Sequence, residues 1–143
     1  MRAIFAILLL VLFNTFARAC DCDEVRKPVK LLLETSNAVF TGVVLSIEPS
    51  KFKDSLTGRR FLEIGLKIDK VVVGDTVKSE ITVFTEQSDC GLHLRQGKGY
   101  LVYAYIDARY NVLLIHQCFS PCPEISTALA KRDLKEIANL KPK

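Results

Sequence analysis

Five cysteines carry most of the chemistry on offer here: Cys20, Cys22, Cys90, Cys118 and Cys122. The first two flank Asp21 and lie just past Ala17-Arg18-Ala19, a small-x-small pattern of the kind that signal peptidase cuts. Cleavage before Cys20 leaves a cysteine as the first residue, its free α-amine beside its own carbonyl. In a secreted protein such thiols read as disulfides, and a disulfide there would fix a terminus that is normally floppy. Two bridges and one free thiol can be drawn in 15 ways, five choices of the free cysteine times three pairings of the rest. A four-thiolate zinc on Cys20-x-Cys22 and Cys118-x3-Cys122 has suitable spacing, but an oxidising compartment pairs thiols instead.

The residues before Cys20 support export. Arg2 supplies a positive start and residues 3–13 form an apolar run of 11. At about 1.5 Å per residue that run is too short to span a bilayer. A bacterial lipoprotein would also be cut before a cysteine and acylated on it. The charged Arg18 beside the cut, where small neutral residues are expected, argues against that reading. The expectation is a signal peptide over 1–19 and a single secreted, extracellular domain over 20–143.

Without Arg2 and Arg18 the chain has 18 basic against 16 acidic residues, a net charge of +2. That balance gives no reason to invoke nucleic acid. The mature chain contains no Asn-x-Ser/Thr sequon. Its two histidines, His93 and His116, lie in or beside predicted strands, with no Gly-x-Ser-x-Gly elbow or His-Glu-x-x-His helix to recruit them. Gly97-Lys98-Gly99 precedes a strand rather than a helix, so it reads as a turn and not a phosphate loop. Nothing argues for an enzyme.

The elements that must position the cysteines are mostly strands. Residues 27–34 place Val29, Leu31, Leu32 and Leu33 behind Pro28, one or two helical turns with the proline at the first position. Residues 37–48 are rich in β-branched and aromatic types and predict a strand bulged at Gly42 and ended by Pro49. A polar loop over 50–60 turns at Thr57-Gly58. Residues 61–73 alternate, with Leu62, Ile64, Leu66 and Ile68 on one face, before a turn at Gly74-Asp75. Ile81, Val83 and Thr85 begin another strand, and 100–106 with 112–117 predict a hairpin about 107–111. Ile125, Leu129, Leu134, Ile137 and Leu140 recur at helical spacing, so a helix over about 124–140 is expected, started by Pro123 and Glu124. About five short antiparallel strands close most simply as a small barrel. The predicted fold is therefore mainly β, a five-stranded OB-fold-like closed barrel with flanking helices.

Several of these residues resemble the inhibitory N-terminal domain of the tissue inhibitors of metalloproteinases, a netrin-like module. They are the cleavage before Cys20, the Cys20-Asp21-Cys22 start, Cys90-Gly91 followed by Leu94, Gly97, Tyr100, Leu101 and Val102, and Cys118 at the end of the last strand. Lys70-Val71-Val72-Val73-Gly74 lies near a Lys-Gly turn of that family. The resemblance implies an OB-fold barrel, bridges Cys20–Cys90 and Cys22–Cys118, and Cys122 left unpaired. It also implies a mechanism: the Cys20 α-amine and carbonyl displace the exchangeable water on a target protease's zinc, closing a five-membered N,O chelate. The amine loses its proton near neutrality, at a pKa of about 7.7–8.0. Asp21 would face the protease's primary specificity pocket, Cys22 and Asp23 would follow the cleft, and Gln87, Ser88 and Asp89 would flank them through Cys90.

Two departures matter. Asp21 stands where the family usually carries Thr or Ser, and desolvating a carboxylate in an apolar pocket costs on the order of several kcal/mol unless it is paired. No cysteine lies between Cys22 and Cys90 for the family's third bridge. The resulting expectation is a secreted inhibitor of matrix-metalloproteinase-like zinc metalloendopeptidases, with extracellular matrix as a further partner. It needs no cofactor of its own, the zinc being the target's, and has no membrane span. The alternative is a non-inhibitory extracellular netrin-like binding module.

Overall fold

The computed structural model describes residues 26–74, 78–88 and 91–140. Its elements are helix α1 (Val29–Thr35), strands β1 (Ala38–Lys53), β2 (Arg60–Val73), β3 (Glu80–Glu86), β4 (Gly99–Asp107) and β5 (Val112–Leu114), and helix α2 (Ala128–Leu140). The fold is mainly β: one five-stranded sheet with two helices. Hydrogen-bonded neighbours run β1-β2-β3-β5-β4 and return to β1, a closed barrel. Strands β1, β2 and β3 are consecutive antiparallel neighbours, and β4 comes back to lie on the other side of β1, which is the Greek-key arrangement. Strand β5 closes the circuit, antiparallel to β4 and parallel to β3.

Side-chain alternation divides the core in two. Phe40, Val44, Ile64, Leu66, Val83 and Val102 fill the barrel interior. The residues between them, Val39, Leu101 and Tyr103, point outward and are covered by Val29 and Leu32 of α1 and Ile137 of α2. Strand β4 is thus buried on both faces, so its sequence runs Tyr-Leu-Val-Tyr-Ala without polar alternation.

Strand β1 does not stop at Pro49 as the sequence suggests. It continues to Lys53, with Pro49 opposite Leu62 of β2. Strand β4 pairs with β1 only from Ala38 to Val43, and residues 96–98 cover Val44 and Leu45; past them β1 has an open edge, where a proline is tolerated. The loop that remains is organised by Asp54, whose carboxylate accepts the Leu56 N–H at 2.9 Å and the Thr57 hydroxyl at 2.6 Å. Gly42 sits at a register shift, and a Cβ there would lie 2.6 Å from the Lys67 carbonyl oxygen. Pro28 is the N-cap of α1 rather than its first helical residue.

Helix α2 begins at Ala128, four residues after Glu124. The backbone of β4 claims the intervening stretch, because the Leu101 N–H donates to the Pro123 carbonyl at 3.0 Å and the Ile125 N–H to the Gly99 carbonyl at 2.9 Å. Thr127 caps the helix instead, its Oγ1 accepting the Ala130 N–H at 3.2 Å. The predicted second hairpin arm, 112–117, is strand only over Val112–Leu114.

Candidate functional site

The parallel contact between β3 and β5 decides which loops meet. Phe84 is in register with Leu114, and the Ile115 N–H donates to the Phe84 carbonyl at 2.8 Å. Both strands therefore leave the barrel at the same end. Gln87 follows three residues after Phe84, and Cys118 four after Leu114.

Past β3 the chain turns back on itself. The Gln87 N–H donates to the Arg60 carbonyl at 2.8 Å, and the Gly91 N–H to the Ser88 carbonyl at 2.9 Å. The Leu92 N–H reaches the Oγ1 of fully buried Thr85 at 3.0 Å. Gly91 is obligatory in this turn, since a Cβ on it would lie 1.8 Å from the Glu86 carbonyl oxygen. The fold leaves Gln87 and Ser88 exposed on the rim.

Past β5 a second turn is closed by the Ser120 N–H on the His116 carbonyl at 2.9 Å and the His116 N–H on the Ser120 hydroxyl at 2.6 Å. Within it, the Cys118 N–H donates to Nδ1 of His116 at 3.2 Å. Burial holds the His116 pKa below its ordinary value, which favours the neutral ring that this acceptor role requires. Cys118 is disulfide-bonded, its partner lying outside the described residues. Next to it, Phe119 is half exposed, packs on the His116 ring at 5.0 Å between centroids, and lies under the Lys27 ammonium at 5.2 Å.

Lys27 is brought there by its neighbour. The Arg26 guanidinium grips both carboxylate oxygens of Asp133 on α2, one of them at 3.0 Å. The Tyr103 hydroxyl donates to the same carboxylate at 3.2 Å, and Asp133 is wholly buried. Burial, with the Asp133 charge added, pushes the Tyr103 phenol far above its ordinary range. The chain is thus tied to the body of the molecule four residues after Cys22. Beside the second turn lies a cavity of about 230 Å³ bordered by Arg59, Glu86, Tyr105, Tyr110, His116 and Phe119.

Of the residues singled out from the sequence, Gln87, Ser88 and Cys118 gather at this one end. Cys20, Asp21, Cys22, Asp23, Asp89 and Cys90 lie outside the described residues. Cys122 is a free thiol, buried and donating to the Ser120 carbonyl at 3.6 Å; burial raises its pKa to about 12. A zinc site drawing on the Cys118 and Cys122 thiolates is therefore not formed. Among the described residues no group of three or more His, Cys, Asp or Glu could hold a metal ion. No helix among them is long and apolar enough to cross a membrane.

No protein-family model matches this chain, and no curated protein matches it. The site therefore rests on its own geometry. Sequence reading missed the Arg26–Asp133–Tyr103 cluster, although a signal was present: Asp133 stands three residues after Ala130 and four before Ile137, on the buried face of α2. The Lys27–Phe119 contact has no local signal, because its residues meet only through the barrel closure.

Proposed function

We propose that the chain is a secreted inhibitor of zinc metalloendopeptidases, built on an OB-fold-like barrel of the netrin-like type. The observation that carries this reading is the parallel exit of β3 and β5. It sets the Gln87–Ser88 turn and the disulfide-bonded Cys118 at the same end, where Lys27 lies against Phe119. An inhibitor that presents its first residues needs this arrangement: a terminus cross-linked at the rim beside a second exposed turn. In this reading Cys20 is the first residue and pairs with Cys90, while Cys22 pairs with Cys118. The Cys20 amine and carbonyl oxygen take the exchangeable position on the target's zinc, Asp21 and Asp23 lie along its cleft, and Gln87, Ser88 and Asp89 make the flanking contacts. In this reading the two bridges would hold these groups in place beforehand, so that little entropy is lost on docking.

Intact-mass and disulfide-mapping mass spectrometry of the secreted protein, with an inhibition assay on a matrix-metalloproteinase-type enzyme, tests this. The expected result is an unmodified Cys20 terminus, the two bridges named and stoichiometric inhibition. An acylated or extended terminus, other pairings, or no inhibition would overturn it. Asp21 favours the second reading, a non-inhibitory netrin-like binding module, since its carboxylate suits an apolar specificity pocket poorly.

A further inference from the structure

A second cavity lies away from this end, between α2 and the outer face of β1 and β2. Its volume is about 500 Å³, within the range of small-molecule sites. Val72, Ile125, Leu134, Ile137 and Ala138 give it an apolar wall. Its remaining described lining is polar, Thr41 and Lys70, and these two are direct register partners across the β1–β2 ladder. Directly opposed residues on an antiparallel pair stand on the same face with Cβ atoms about 5 Å apart. Thr41 and Lys70 thus border the same part of the groove. Neither makes a hydrogen bond or ion pair among the described residues, and no carboxylate is part of the described lining.

We propose that this groove binds a free aliphatic monocarboxylate of medium chain length. Its tail lies along Val72, Ile125, Leu134 and Ile137, and its carboxylate accepts from the Lys70 ammonium and the Thr41 hydroxyl. An apolar body requires the wall, and a single uncompensated cation beside a hydroxyl selects an anionic head over a neutral or cationic one. The site does not depend on the inhibitory reading, because its residues lie away from the Gln87–Cys118 end.

The test is a titration of the intact, disulfide-bonded protein with decanoate, followed by amide chemical shifts, with decanol as the uncharged control. Saturable shifts are expected around Thr41, Lys70, Val72, Leu134 and Ile137, with decanoate bound more tightly than decanol. Lys70→Gln should weaken decanoate roughly 10-fold and leave decanol unchanged. Ala138→Trp, at an exposed helix position, should abolish binding of both while thermal melting shows an intact fold. The proposal is overturned by no saturable shift at about 1 mM decanoate, by shifts centred elsewhere, or by equal affinity of wild type and Lys70→Gln. Shifts only with vesicles or micelles, or self-association that fills the groove without ligand, would overturn it too.

Discussion

Asp133 is a fully buried carboxylate on the apolar side of a helix, held by Arg26 and Tyr103. Buried ion pairs add little net stability, but removing one partner leaves the others uncompensated. Asp133→Ala should cost about 3 kcal/mol, the low end for a broken buried pair, because the Arg26 side chain keeps 26% exposure and can rehydrate. The urea midpoint reads this, and an unchanged midpoint contradicts it. Two buried groups nearby predict an alkaline weakness. Tyr103 and Cys122 both have raised pKa values, chiefly through burial. Above the ordinary thiol and phenol values the unfolded chain sheds protons that the native state retains, so stability falls as pH rises. The slope is about 1.4 kcal/mol per pH unit for each proton. For Cys122 the loss sets in above 9.0, the unperturbed thiol value, and runs to about 12. Urea unfolding between pH 8 and pH 10.5 should show the decline, and Cys122→Ala should flatten it. An equal slope in that variant would contradict the assignment.

At the scale of elements, the turn after β3 is the most exacting piece of the site. Gly91→Ala would drive a Cβ into the Glu86 carbonyl, at 1.8 Å, and so must move the Gln87–Ser88 turn. Gly42→Ala meets the Lys67 carbonyl at 2.6 Å in the middle of a strand pair. Both should destabilise, by roughly 1–3 kcal/mol. Gly91→Ala should weaken protease inhibition far more than Gly42→Ala at equal stability loss. Inhibition constants measured beside urea midpoints check this, and parallel losses in the two variants would contradict it. The same elements show where local signals lose authority. Strand β2 was legible because its alternation of Ile64 and Leu66 with Glu63 and Lys67 reflects a real inside and outside. Proline at 49 and Pro123-Glu124 misled because their roles depend on a neighbour distant in sequence: an edge left open by the short β1–β4 pairing, and a β4 backbone that needed a partner.

At the scale of the molecule, barrel closure brings Gln87, Cys118 and Lys27 to one end although more than 90 residues separate the extremes. The strand count and the terminal helix could be read from hydrophobic period. The convergence could not, since it follows from one parallel contact of a three-residue strand. Of the four cysteines expected to form bridges, only Cys118 lies among the described residues, and it stands at this end. The central claim is that inhibition acts through the α-amine of Cys20. The measurement closest to it is titration of a zinc endopeptidase with the mature protein before and after selective carbamylation of that amine, with the fold verified unchanged. The account predicts stoichiometric inhibition by the free-amine protein and its loss, by orders of magnitude in affinity, once the amine is blocked. Equal inhibition by the two forms would contradict it.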